Sequence, residues 1–154
     1  MLAMRWGLAP RLGSKPVTNI RNLQSDWWRP WLGLAWRCLV PATSFCEWTD
    51  TTPKVTHWFA LGSDRPLFAF AGIWRQWTGG RGKETGEHLL YGFLTTEPND
   101  VVCSIHAKAM PVMLTTPEEW ETWLRAPLAE ALKPLAPEQL HIVASGERED
   151  GAAA

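Results

Sequence analysis

The chain has 154 residues, 45% of them hydrophobic and 20% charged, with 15 basic and 16 acidic side chains and a formal net charge of −1. That make-up suits one compact domain able to bury a core without staples, and the balanced charge excludes a partner held by an overall field. Three cysteines without a CxxC pair speak against a zinc centre and a disulfide framework. With no apolar run of membrane-spanning length and no signal-peptide pattern, the expectation is a reduced, cytoplasmic protein with no membrane partner.

Turn residues divide the chain about every ten residues. "MRWGLAP" reads as a strand closed by Pro10, followed by the loop "RLGSKP" and a short extended "TNIRN". "SDWWRPWLGLAW" reads as a helical turn or loop with Ser25 as its cap. "RCLVPATSFCEWT" is apolar and β-rich but interrupted by Pro41, "THWFALG" alternates, and "PLFAFAGIWRQWT" is a long β-type run containing Gly72. The polar, glycine-rich "GGRGKETGE" reads as an exposed hairpin connection, and "HLLYGFLTT" and "AMPVMLT" as two further strands. In "TTPEEWETWLRAP", Thr116 stands at an N-cap, Pro117 at the first helical position, and Glu119 completes a capping box. Trp120, Trp123 and Leu124 share one helical face, and Pro127 ends the helix. A second short helix, "PLAEALKPL", and a flexible tail over residues 146–154 follow. The sum is a single domain over residues 1–145, mainly β with short helices (α+β), its sheet curved or barrel-like.

Eleven tryptophans against one tyrosine and five phenylalanines point to a tryptophan-rich core, with stacking platforms for nucleobases as the functional alternative for a few of them. In "SFCEWTD" a carboxylate lies between Cys46 and Trp48. On a strand, Phe45 and Glu47 share one face and Cys46 and Trp48 the other. If both faces are covered, Glu47 loses water, its pKa rises, and it becomes a proton donor competent near neutrality; if not, it is an ordinary surface glutamate. His106, beside Lys108 in "SIHAKAMPVML", is either a structural hydrogen-bonder or a catalytic imidazole. Asn19 and Arg21 project from one side of an extended segment, where an amide and a guanidinium suit a phosphate or a nucleophile. Cys46 or Cys103 as a nucleophile, with His106 as base, defines a thiol peptidase or hydrolase, although neither thiol has a neighbour that lowers its pKa.

Taken in order, "RWGLAP", "NIR", "RCLVPATSFCEW", "FAFAGIWRQW", "TTEPND" and "IHAKAMPVML" resemble the blocks of the SRAP family, the SOS response-associated, peptidase-like proteins, from Arg5 to Leu124. The resemblance implies an SRAP fold that binds single-stranded DNA and captures abasic sites, without a metal or organic cofactor. In the family, the α-amine and thiol of a cysteine directly after the initiator Met close a thiazolidine on the sugar aldehyde, a covalent DNA–protein crosslink. Matched residue by residue, the resemblance assigns catalytic roles to Asn19, Glu47 and His106. It assigns DNA contacts to Trp6, Gly7, Arg21, Trp48, Thr95, Thr96 and Lys108. The chain departs from the pattern by opening Met1-Leu2-Ala3-Met4 instead of Met-Cys-Gly-Arg, so the family's N-terminal segment and its nucleophile are absent. Ser44 and Cys46 stand where Gly and Tyr are usual, Ile20 separates Asn19 from Arg21, and the His106–Met110 spacing is one residue longer. Three expectations follow: a true start upstream, a DNA-binding paralogue that does not crosslink, or a reversible imine on the α-amine of Met1.

Overall fold

The structure, a computed structural model, describes residues 2–11, 15–81, 83–128 and 139–151. Its elements in chain order begin with β1 (Arg5–Trp6), β2 (Asn19–Ile20), β3 (Arg37–Ala42), β4 (Phe45–Trp48) and β5 (Thr56–Ala60). The long β6 (Phe68–Arg81) and β7 (Glu84–Thr96) follow, then helix α1 (Asp100–Cys103), β8 (Met110–Pro111), β9 (Met113–Leu114), helix α2 (Pro117–Arg125) and β10 (His141–Ser145). The architecture is mostly β with short helices and a strongly curled sheet, as the sequence predicts. "SDWWRPWLGLAW" forms two short 3-10 turns, Arg29–Trp31 and Leu34–Trp36. The second predicted helix lies largely outside the described residues.

The large sheet is built on the β6–β7 hairpin. β3 lies antiparallel along β6, while β1 and β2 lie parallel along the other side of β7. Pro41, which cannot donate to a ladder, is tolerated because β3 is an edge strand. Gly72 is required by closeness: a Cβ there would lie 2.8 Å from Val40 Cγ2 and 2.9 Å from Cys38 Sγ. The glycine-rich segment read as a loop is mostly strand instead, with pairs running out to Arg81↔Glu84. Continuous cross-strand hydrogen bonding and the stacked Trp77–His88 pair, 5.9 Å between centroids, outweigh the low strand propensity of its glycines.

At the opposite end the hairpin splits. β8 pairs with β7 at Thr95 and Thr96, β9 pairs with β6 at Ala69 and Phe70, and Val112 lies between them. The Val112 carbonyl accepts from Ala71 at 3.0 Å, and its N–H donates to Leu94 at 2.9 Å. This wedge supplies the backbone partners that β6 and β7 lose as they diverge. A smaller antiparallel sheet, β10-β5-β4, covers one face of the large one.

Alternation then divides the core. Ala71, Ile73, Leu90 and Leu94 face a cluster with Leu8, Ile20 and Trp123. Phe68 and Phe70 face Phe45, Phe59, Val102 and Met110 on the other side. α2 closes the first cluster with Trp123, which is fully buried. Its N-terminus carries the predicted capping box: Thr116 Oγ1 accepts from the Glu119 N–H at 3.2 Å and Glu119 Oε2 accepts from the Thr116 N–H at 3.1 Å. Thr116→Ala is therefore expected to destabilise the protein by about 1 kcal/mol, read as a lower urea midpoint with an unchanged slope. At the C-terminal end of the described chain, Ser44 Oγ donates to Asp150 Oδ2 at 2.6 Å, and Arg65 pairs with the same carboxylate at 3.3 Å.

Candidate active site

Glu47 is placed by the register of β4 on β5. Phe45 lies opposite Phe59, both buried, and two residues along the same face Glu47 lies opposite His57. The apolar anchor fixes the direction of the strand, so the carboxylate is carried over the edge of the phenylalanine cluster and is only half exposed. Burial pushes its proton affinity above the usual carboxylate range, and the positive charge of His106 pulls it partly back. Desolvation is the larger effect. The two residues, 59 positions apart in sequence, are thereby electrostatic neighbours.

His106 owes its position to two anchors. α1 is capped by Asn99, whose side-chain oxygen accepts from the Val102 N–H at 3.0 Å. The Val102 carbonyl then receives the N–H groups of Ile105 at 2.9 Å and His106 at 2.7 Å, closing the helix in a tight turn. Four residues later Met110 enters the β8 wedge, fully buried. The imidazole is thus presented by a turn held at both ends.

The other assigned residues fall into two groups. Trp6 and Asn19 lie on the parallel edge of β7, opposite Tyr91 and Phe93. Asn19 and Arg21 are exposed and Ile20 between them is buried; Arg21 reaches Glu97 at 3.3 Å. Gly7 has φ of 98°, a left-handed conformation that disfavours any side chain, and its N–H donates to the Tyr91 carbonyl at 2.8 Å. Thr95 is buried with its hydroxyl 3.5 Å from the Ile20 carbonyl, and Thr96 is half-buried opposite Met110. The second group lies beyond Glu47: Trp48 is 49% exposed, and Lys108 pairs with Asp50 at 3.6 Å.

An aromatic row joins the two groups. Trp6, half exposed, stacks on Phe93 with centroids 5.6 Å apart and planes at 15°. Phe93 meets Phe70 at 4.8 Å, and Phe70 meets Phe45 at 5.9 Å. Sequence reasoning singled out Trp6 but not Phe70 or Phe93. The signal was the alternation in "FAF" and "YGF", which becomes informative only once the β6–β7 register is known. It also missed His57, whose Nδ1 lies 2.9 Å from Ser145 Oγ across the small sheet.

The thiols are arranged differently. Burial pushes Cys38 up to about 12. Burial and the neighbouring Glu47 charge both push Cys46 up. Thiolate formation is disfavoured at both. Cys103 is exposed at the end of α1. Among the described residues no group of three or more His, Cys, Asp or Glu side chains is placed to hold a metal ion, and no helix is long and apolar enough to cross a membrane.

Comparison with known proteins follows the same blocks. The family profile described as SOS response associated peptidase (SRAP) matches residues 1–145. The abasic site processing protein YoqW of Bacillus subtilis is 34% identical over 132 residues, covering 79% of this chain and 55% of that protein. YobE of the same organism, also named an abasic site processing protein, is 35% identical over 134 residues, with 79% and 57% covered. The chain thus spans little more than half the length of these relatives. A crystal structure from Bacteroides thetaiotaomicron aligns with a TM-score of 0.66 at 29% identity, covering 80% of this chain and 56% of that one. One from Bordetella bronchiseptica, at 21% identity, shares the fold with a TM-score of 0.69 over 93% of this chain and 74% of that one. With the profile running through the β4 carboxylate and the α1–β8 histidine alike, the chain belongs to the SRAP family.

Proposed function

We propose that this chain processes abasic sites in single-stranded DNA, with Glu47 and His106 moving the protons and Asn19 orienting the attacking amine. The observation that carries the reading is the half-buried Glu47 carboxylate, its proton affinity raised by burial, facing the charge of His106. An abasic sugar hides its aldehyde as a cyclic hemiacetal. Opening it takes one proton to the ring oxygen and removes one from the anomeric hydroxyl, work suited to a positioned acid–base pair. A primary amine then adds to the aldehyde and water leaves, giving an imine; a thiol beside that amine would close the thiazolidine. The relatives named as abasic site processing proteins support the substrate.

Strand binding rests on the aromatic row. The exposed Trp6 face, stiffened from below by Phe93, suits a nucleobase, and Arg21 and Lys108 suit phosphates. Trp6→Ala is expected to weaken binding to a single-stranded oligonucleotide by about 1–3 kcal/mol, measured by fluorescence anisotropy, with the fold retained because half the ring is in solvent. The chemistry is tested by incubating the protein with an oligonucleotide carrying one abasic site. A slower-migrating adduct on a denaturing gel, absent with intact DNA and trapped by borohydride if it is an imine, is the expected result. Salt-dependent binding with neither an adduct nor strand cleavage would replace this reading with a pure binding module.

A further inference from the structure

His106 is carried by residues 97–109, a loop that leaves the large sheet at Thr96 and returns at Met110, the pair that closes its base. Cys103, Ser104, Ala107 and Lys108 are in water, and the two buried residues of the loop are Asn99 and Val102. A buried amide among apolar side chains is costly unless its polar groups are used. The Asn99 side-chain oxygen accepts from the Val102 N–H at 3.0 Å, and its carbonyl accepts from the Cys103 N–H at 2.8 Å. Its own N–H donates to Met110 Sδ at 3.2 Å. A thioether accepts weakly, but Met110 is fully buried, so no water competes for that contact. The first two bonds set the turn of α1, whose Val102 carbonyl takes the His106 N–H at 2.7 Å. The third reaches the residue at which the loop re-enters the sheet. One buried residue thus ties together the start of the loop, the backbone beneath the imidazole and the loop's return.

We propose that Asn99 is the positioning residue for His106: its side chain holds the turn that presents the imidazole, and its backbone N–H holds that turn to Met110. The effect on rate rests on the reading of Glu47 and His106 as a proton-moving pair; the effect on where His106 sits does not. Glu47 is the reporter, because burial raises its proton affinity and the charge of His106 lowers it in part. Coulomb energy falls with distance, so an imidazole that drifts away takes its share with it and the Glu47 titration moves to higher pH. His57, the imidazole opposite Glu47 on β5, is bonded to Ser145 at 2.9 Å and lies outside the loop. Lys108 lies inside it, paired with Asp50 at 3.6 Å, so its charge has to be separated from that of His106.

The test is a ¹³C NMR titration of the Glu47 carboxyl in the full chain, its signal assigned by its loss in Glu47→Gln. In Asn99→Ala, which removes the acceptor, the midpoint is expected to move up, as in His106→Ala. Adding Asn99→Ala to His106→Ala is expected to move it no further. Asn99→Ser, whose hydroxyl also caps a helix, is expected to titrate as wild type. On an abasic oligonucleotide, Asn99→Ala is expected to slow adduct formation on the order of 10–10²-fold, and Asn99→Ser to restore the rate. Met110→Leu keeps the volume but not the sulfur; it is expected to move the midpoint the same way by less, and it carries the test if Asn99→Ala does not fold. An unmoved midpoint in folded Asn99→Ala or Met110→Leu would overturn the proposal, as would an equal shift with and without His106. A moved midpoint at an unchanged adduct rate would uphold the hold of Asn99 on His106 and remove the pair from the chemistry instead.

Discussion

Glu47→Gln is expected to slow adduct formation on an abasic oligonucleotide by about 10²–10⁴-fold, the range of a positioned acid or base, while leaving strand affinity unchanged. The amide keeps the shape of the carboxyl but can neither give up nor take a proton. Wild-type activity is expected to fall as pH rises through the raised Glu47 pKa if the protonated form does the work, and the residual activity of the variant to lose that limb of the profile. The same substitution should raise stability at neutral pH. The folded state holds the Glu47 proton more tightly than the unfolded chain does, because burial penalises the anion. Its contribution is therefore fully present below the ordinary carboxylate pKa and lost as pH rises through the raised value. A side chain that never ionises escapes that loss. Glu47→Gln should match wild type near pH 4 and melt higher at pH 7, a gain in stability at the expense of activity. A variant with wild-type adduct rates would remove Glu47 from the chemistry.

The largest effect on stability is expected at Trp123, in the joint between α2 and β3. The ring is fully buried, its N–H donates to the Cys38 carbonyl at 2.9 Å, and the Arg37 guanidinium lies 4.7 Å over it. Arg37, itself 8% exposed, spends its donors on the carbonyls of Leu32 at 3.0 Å and of Trp123 and Ala126, both at 2.7 Å. Removing the ring empties the largest fully buried side chain, orphans a strand carbonyl and takes the support from under that guanidinium. Trp123→Ala is expected to cost about 3–5 kcal/mol, a large share of the roughly 5–15 kcal/mol that holds an ordinary domain together. Urea unfolding followed by far-UV circular dichroism reads it directly. Trp48→Ala, at an exposed ring, should stay within about 0.5 kcal/mol. Near-equal losses at the two tryptophans would show that α2 is not the joint it is taken for.

These two residues also show how far local sequence carries. α2 was legible in full, because its signals act within one turn: a threonine cap, a proline with no N–H to waste, a glutamate three residues on, and tryptophans at helical spacing. β4 was legible too, since alternation alone places Phe45 and Glu47 on one face. The glycine-rich arm was not. Its residues are poor strand formers, and only pairing with a partner strand makes the extended form the stable one. Nor does anything near "RW" or "NI" announce that both lie parallel to β7, some 70–85 residues away.

The site divides along the same line. The resemblance to the SRAP blocks is enough to name Asn19, Glu47 and His106 as a set worth testing, and the residues flanking Glu47 are enough to make it a neighbour of apolar side chains. Whether that carboxylate keeps its water, and whether His106 lies near enough to feel its charge, depend on strands that arrive from elsewhere: β5 beneath it and the wedge that follows α1. Desolvation and Coulomb energy are set by distance in space, which the chain acquires only when it folds.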